Sequence, residues 1–97
     1  MTAPAVYAPD LMDRSRIAAA HPDAVFVSDP SELGAVQADL VIVDVARPGV
    51  LEVVRAIAGR VIAFARHDDQ STIDAAHAAG CDEVLARSVF FKRLSGD

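Results

Sequence analysis

The sequence predicts an α/β fold, a five-stranded parallel sheet with helices on both faces, and three observations carry that prediction. Short apolar runs alternate with helix-period segments from one end of the chain to the other. Four consecutive aliphatic residues, Leu40 to Val43, run without interruption into Asp44, the pattern of a strand buried on both faces. The connections between runs are about two to six residues long, the usual range for strand–helix units. Such alternation makes a parallel sheet with a helical layer on either side. At 97 residues, the chain is expected to form one domain over 1–97.

Each element has its own local reason. Ala5 to Ala8 is a short strand, broken by Pro9-Asp10 before the helix Leu11 to Ala20, which places Leu11, Met12, Ser15 and Ile17 near one face. His21-Pro22-Asp23 closes that helix, and Ala24 to Val27 is the second strand. Ser28-Asp29-Pro30-Ser31-Glu32 is rich in helix-start chemistry and leads into a brief helix through Gln37. Asp39 hands over to the third strand, which ends at Asp44. The next helix is expected over 50–58, closed by Gly59 as a left-handed cap, with Glu52 and Arg55 as a weak surface pair. Arg60 to Ala65 is the fourth strand. Asp68 or Asp69 caps a helix whose Ile73, Ala76 and Ala79 form a small-residue packing face and which Gly80 ends. Glu83 to Ala86 is the fifth strand, and Ser88 to Leu94 supplies only a turn or two of helix. Right-handed crossovers then favour the flavodoxin-like strand order 2-1-3-4-5, three layers deep, with a shortened last helix.

Composition narrows the function classes. Apolar residues make up 53% of the chain and aromatics 5%, so the core is built mostly from Ala, Val, Ile and Leu. A net charge of −5, with Lys92 as the one lysine, opposes nucleic-acid binding, which needs clustered cations. The apolar runs fall far short of the ~20 residues that span a bilayer, so no membrane insertion and a cytoplasmic location are expected. Cys81 is alone and reads as a small buried residue. His21, His67 and His77 have no ligand-like spacing, which argues against a transition-metal site. Arg66-His67-Asp68-Asp69 reads as a solvated, capping loop, or else as a recognition loop for an anion or partner. There is no glycine-rich phosphate loop and no nucleophile elbow around any serine.

The stretch from Asp39 onward resembles the receiver domain of two-component response regulators. An aliphatic third strand ends in Asp44, with Pro48 and Gly49 following at the receiver spacing, and residues 78–88 match the receiver's small-residue helix end and fifth strand. The resemblance implies a phosphoacceptor at Asp44, Mg2+ held with acids after the first strand, a sensing hydroxyl after the fourth strand and a Lys after the fifth. Here the acid pair is Pro9-Asp10, the hydroxyl position is Ala65, and the Lys and following Pro are Arg87 and Ser88. Arg differs from Lys in reach and geometry, so that replacement is not neutral. Receivers commonly pair through their fourth and fifth helices, which implies Phe90, Phe91 and Leu94 as contact residues if they do not simply pack on their own sheet.

The predicted topology brings Asp10 and Asp44 to one sheet edge, independently of any likeness. Two close carboxylates bind a divalent cation or raise one another's pKa, unless Arg87 neutralises them as an ion-paired remnant. The first expectation is therefore a pseudo-receiver without enzymatic activity or cofactor, acting on a protein partner or as a homodimer, adaptor or accessory module. The alternatives are a phosphoacceptor that uses Asp44 with Mg2+ held by Asp10 and Asp44, and a small-ligand or metal-sensing module at the same edge.

Overall fold

Side-chain alternation along the strands separates two cores. In a computed structural model, which describes residues 3–96, the odd-numbered Ala5, Tyr7, Val41, Val43, Val61, Ala63 and Ala65 face one way. The even-numbered Val6, Ala8, Ile42 and Phe64 face the other. Period-two alternation with both faces apolar is what a central parallel strand requires.

The elements follow in the order β1 (Ala5–Tyr7), α1 (Leu11–Ala20), β2 (Val25–Phe26), a 3-10 helix (Pro30–Ala35) and β3 (Gln37–Asp44). Then come α2 (Val50–Val53), a 3-10 turn (Val54–Ala56), β4 (Ala58–Ala65), α3 (Gln70–Ala79), β5 (Glu83–Ala86) and α4 (Arg87–Leu94). The five strands form one parallel sheet in the order β2-β1-β3-β4-β5, the predicted flavodoxin-like arrangement. The odd-numbered face is covered by Leu33, Val50, Val54 and Ala76 from the 3-10 helix, α2 and its continuation, and α3. The even-numbered face is covered by α1 through Ile17 and by α4 through Phe90 and Phe91.

Several elements differ from the sequence reading, each for a local reason. The segment after Asp29 is a 3-10 helix: Asp29 Oδ1 accepts from Ser31 N at 2.9 Å, but Gly34 weakens the interior and the turn never lengthens. The helix expected over 50–58 remains α-helical only to Val53, because its β-branched Val53, Val54 and Ile57 crowd the turns. Gly59 is not a helix cap. It lies inside β4 at φ 100°, where β3 and β4 slip register between Gln37 and Leu40, and a Cβ there would collide with the Ala38 carbonyl oxygen. In α1 the buried residues are Asp13 and Ile17, one turn apart, while Leu11 and Met12 are 78% and 72% exposed. Arg55 donates to the Ala78 carbonyl at 3.4 Å, and no Glu52–Arg55 ion pair forms among the described residues.

Other expectations stand. Asp69 Oδ1 accepts from Thr72 N at 3.3 Å and starts α3, and Gly80 at φ 106° ends it in the left-handed conformation. Ala76 is buried, with Ile73 and Ala79 packed beside it. The last helix is short, eight residues that follow β5 without a linker. Phe90 and Phe91 compensate for that shortness. Phe90 stacks on Phe64 with centroids 4.8 Å apart, and Phe91 meets Phe64 edge-on at 5.4 Å. All four phenylalanines of the chain, Phe26 included, lie on this face.

Candidate functional site

The parallel register places the carboxyl ends of the strands together. Asp44 pairs with Phe64 across β3 and β4, and Ala65 with Ala86 across β4 and β5, so Asp44, Ala65 and the start of α4 share one edge. A depression of about 270 Å³ opens there, lined by Asp10, Asp13, Asp44, Arg47, Arg66 and Arg87, with Ala46 and Ala65. Carboxylates and guanidiniums are equal in number around it.

Three local structures fix the acids. Asp10 is the N-cap of α1, and its Oδ1 accepts from Asp13 N at 3.0 Å. Asp13, in the first turn of α1 where the helix dipole favours a negative charge, is 3% exposed. Asp44 ends β3 and is 5% exposed.

Two arginines answer two of these acids, in a pairing that differs from the sequence reading. After Asp44 the chain turns back, with Arg47 N donating to the Asp44 carbonyl at 3.2 Å. That turn returns the Arg47 side chain to its own strand end, where Nε donates to Asp44 Oδ2 at 3.1 Å. The partner of Asp44 is therefore Arg47, not Arg87. Arg87, the first residue of α4, donates instead to Asp13 Oδ1 at 2.5 Å, and its guanidinium lies 5.2 Å from the Phe64 ring centroid. Asp13 Oδ2 is buried with no hydrogen-bond partner among the described residues. Arg66 pairs outward with Asp68 at 2.8 Å, holding the Asp68 carboxyl below its usual range, mainly through that side-chain hydrogen bond.

Sequence reasoning missed Asp13 and Arg47. Asp13 looks like an ordinary first-turn acid, and nothing in its spacing announces burial. Arg47 was legible in principle, because a residue three positions after a strand-ending Asp, just before Pro48-Gly49, sits where a turn carries it back. Ala65 offers no side-chain hydroxyl to the depression, as read from the sequence.

Asp10, Asp13 and Asp44 line one depression without forming a ready-made metal cluster. Among the described residues no three His, Cys, Asp or Glu side chains are grouped to hold a metal ion. One oxygen of Asp10 is engaged by a helix end and one oxygen of Asp44 by Arg47. As arranged, part of each carboxylate is committed before a cation arrives.

The residues expected to make contacts divide. Phe90 and Phe91 are each 4% exposed and pack on their own sheet, because stacking on Phe64 removes more apolar area from water than projecting outward. Leu94 is half-buried at the end of α4 and borders a surface groove. No helix is long and apolar enough to cross a membrane, among the described residues.

No family model matches the chain, and no curated protein matches it in sequence. Among solved structures, it is similar to the crystal structure of the phosphorylated cyanobacterial phytochrome response regulator RcpA, at 17% identity and a TM-score of 0.76. The match covers 99% of this chain and 91% of that one. The likeness is one of fold, and the fold is that of a response-regulator receiver.

Proposed function

We propose that the chain is a pseudo-receiver, a receiver-fold module that works in the cytoplasm through contacts with another protein and performs no phosphoryl transfer. The observation that carries this reading is the Asp44–Arg47 pair: the carboxylate at the phosphoacceptor position is already held by a guanidinium from its own loop. Three further features support it. Ala65 supplies no hydroxyl, Arg87 is committed to Asp13, and Asp10 is committed to the start of α1.

Magnitudes make the case concrete. A cation that took the capping oxygen of Asp10 would draw it from its cap, at about 1 kcal/mol. One that took the Asp44 oxygen held by Arg47 would also displace that half-exposed side chain, at up to about 1 kcal/mol. Where both apply, they weaken cation binding by up to roughly thirtyfold, since about 1.4 kcal/mol is a factor of ten. Charge neutralisation by metal is a large part of phosphoryl transfer, so a weakened cation site removes much of its driving force.

The second reading, a phosphoacceptor, rests on Asp44 lying at the strand end of a fold shared with a phosphorylated response regulator. A titration separates the two. Amide NMR signals around Asp10 and Asp44 are expected to stay fixed at millimolar Mg2+ in the native chain and to move in Arg47→Ala. Large Mg2+-dependent shifts in the native protein would favour the phosphoacceptor.

A further inference from the structure

The sheet face covered by α1 and α4 carries a groove that meets the acid depression at Arg87 and runs away from it along α4. Two adjoining depressions of about 360 and 400 Å³ meet at Arg16 and Phe91 and run along α4. At the far end one wall is small, with Ala19 and Ala20 exposed on α1, and the other is formed by Phe91 and Leu94 of α4. The end lined by Ala19, Ala20 and Leu94 is mainly apolar, and the end lined by Arg16, Arg87, Ser88 and Lys92 is polar and cationic.

That charge runs against the rest of the molecule. The chain carries a net charge of −5, yet Arg14, Arg16, Arg87, Lys92 and Arg93, five of its nine basic residues, lie on α1 and α4, where Asp13 is the one acid. Arg87 is paired with Asp13, and Arg93 with Glu83 at 2.8 Å. Arg16 places its guanidinium 4.2 Å from the Phe91 ring centroid. Neither Arg16 nor Lys92 has a carboxylate partner among the described residues. One cation without a carboxylate partner therefore stands on each bank, and the apolar surface of Ala19, Ala20 and Leu94 adjoins them.

We propose that the groove between α1 and α4 docks an acidic, amphipathic helical segment of a partner protein. Its carboxylates meet Arg16 and Lys92, and an apolar side chain rests against Leu94 beside Ala19 and Ala20. Charge complementarity selects the acidic occupant, and the banks suit a helix of about ten residues, since α1 is itself about 15 Å long. The inference rests on reading the chain as an interaction module and adds the surface and the partner's chemistry.

The probe is a synthetic peptide of about twelve residues with Leu spaced three and four apart and Glu elsewhere, titrated into the isotope-labelled full chain. Saturable shifts confined to α1 and α4 are expected. Lys92→Glu, at an exposed position that leaves the core intact, should weaken binding severalfold, and adding Arg16→Glu should weaken it further. A Lys-for-Glu peptide should bind that double variant better than the native chain. Absent shifts, shifts centred on Asp10 and Asp44, equal affinity for Lys92→Glu, or binding only to anionic phosphatidylserine vesicles would each overturn the docking proposal. Failure of the peptide alone leaves the pseudo-receiver reading standing, whereas phosphorylation of Asp44 removes that reading whether or not the peptide binds.

Discussion

Two buried carboxylates determine what the sheet edge can do. Asp13 is almost wholly removed from water and answered by Arg87, whose side chain is 35% exposed. Removing one partner of such a pair leaves an uncompensated buried charge, which costs about 3–5 kcal/mol. Partial exposure of Arg87 places Arg87→Ala at the low end, near 3 kcal/mol, read as a lower urea midpoint at unchanged slope. Asp13→Asn combined with Arg87→Ala should recover part of that loss, because the stranded charge is gone. Gly59 is the other residue whose identity is forced. Its φ of 100° and its approach to the Ala38 carbonyl exclude a side chain. Gly59→Ala is expected to destabilise by more than about 1 kcal/mol, in contrast to the gain such a change gives at a permissive site, and chemical denaturation checks it. The sequence marks Gly59 as special but not why: a glycine after a helix-period segment looks like a cap until the β3–β4 register is known.

Among the elements, α4 departs most from what its length suggests. Eight residues bury little area as aliphatics, and the aromatic cluster of Phe64, Phe90 and Phe91 supplies the missing volume. The adjacent Phe90-Phe91 pair was legible as apolar, but its direction was not, because neighbouring helical residues project about 100° apart and either could have faced solvent. Glu83 ties this helix to the sheet by accepting from Arg93 and from Arg60. Those two guanidiniums, Arg93 before Arg60, hold the Glu83 carboxyl below its ordinary value of 4.5. A lowered folded-state pKa contributes stability that is fully present above the unfolded value and is lost as pH falls through the folded one. The stability advantage of the native chain over Glu83→Gln should therefore persist at neutral pH and shrink below about pH 4.5, measured by urea denaturation across that range. Asp13 and Arg47 stayed hidden at this scale. Each makes its contact only once the turn after β3 and the junction between β5 and α4 are built.

For the whole molecule, sheet order and the two-sided core were legible because they depend on alternation and connection length, which a sequence carries directly. The Cα radius of gyration is 12.1 Å, close to the roughly 12.5 Å expected for a packed chain of this length, so the short last helix does not leave the domain loose. Charge is less evenly distributed. An acidic chain concentrates its cations on α1 and α4 and at the sheet edge, and at that edge they are spent on internal pairs. The pseudo-receiver proposal joins these facts: on a receiver fold, two of the three acids at the sheet edge are answered by arginines, while Arg16 and Lys92 on α1 and α4 have no carboxylate partner among the described residues. The most direct measurement is the intact mass of the protein after incubation with Mg2+ and acetyl phosphate, beside Asp44→Asn as control. An unchanged mass in both is the predicted result, and a stable gain of one phosphoryl group in the native chain that Asp44→Asn abolishes would contradict it.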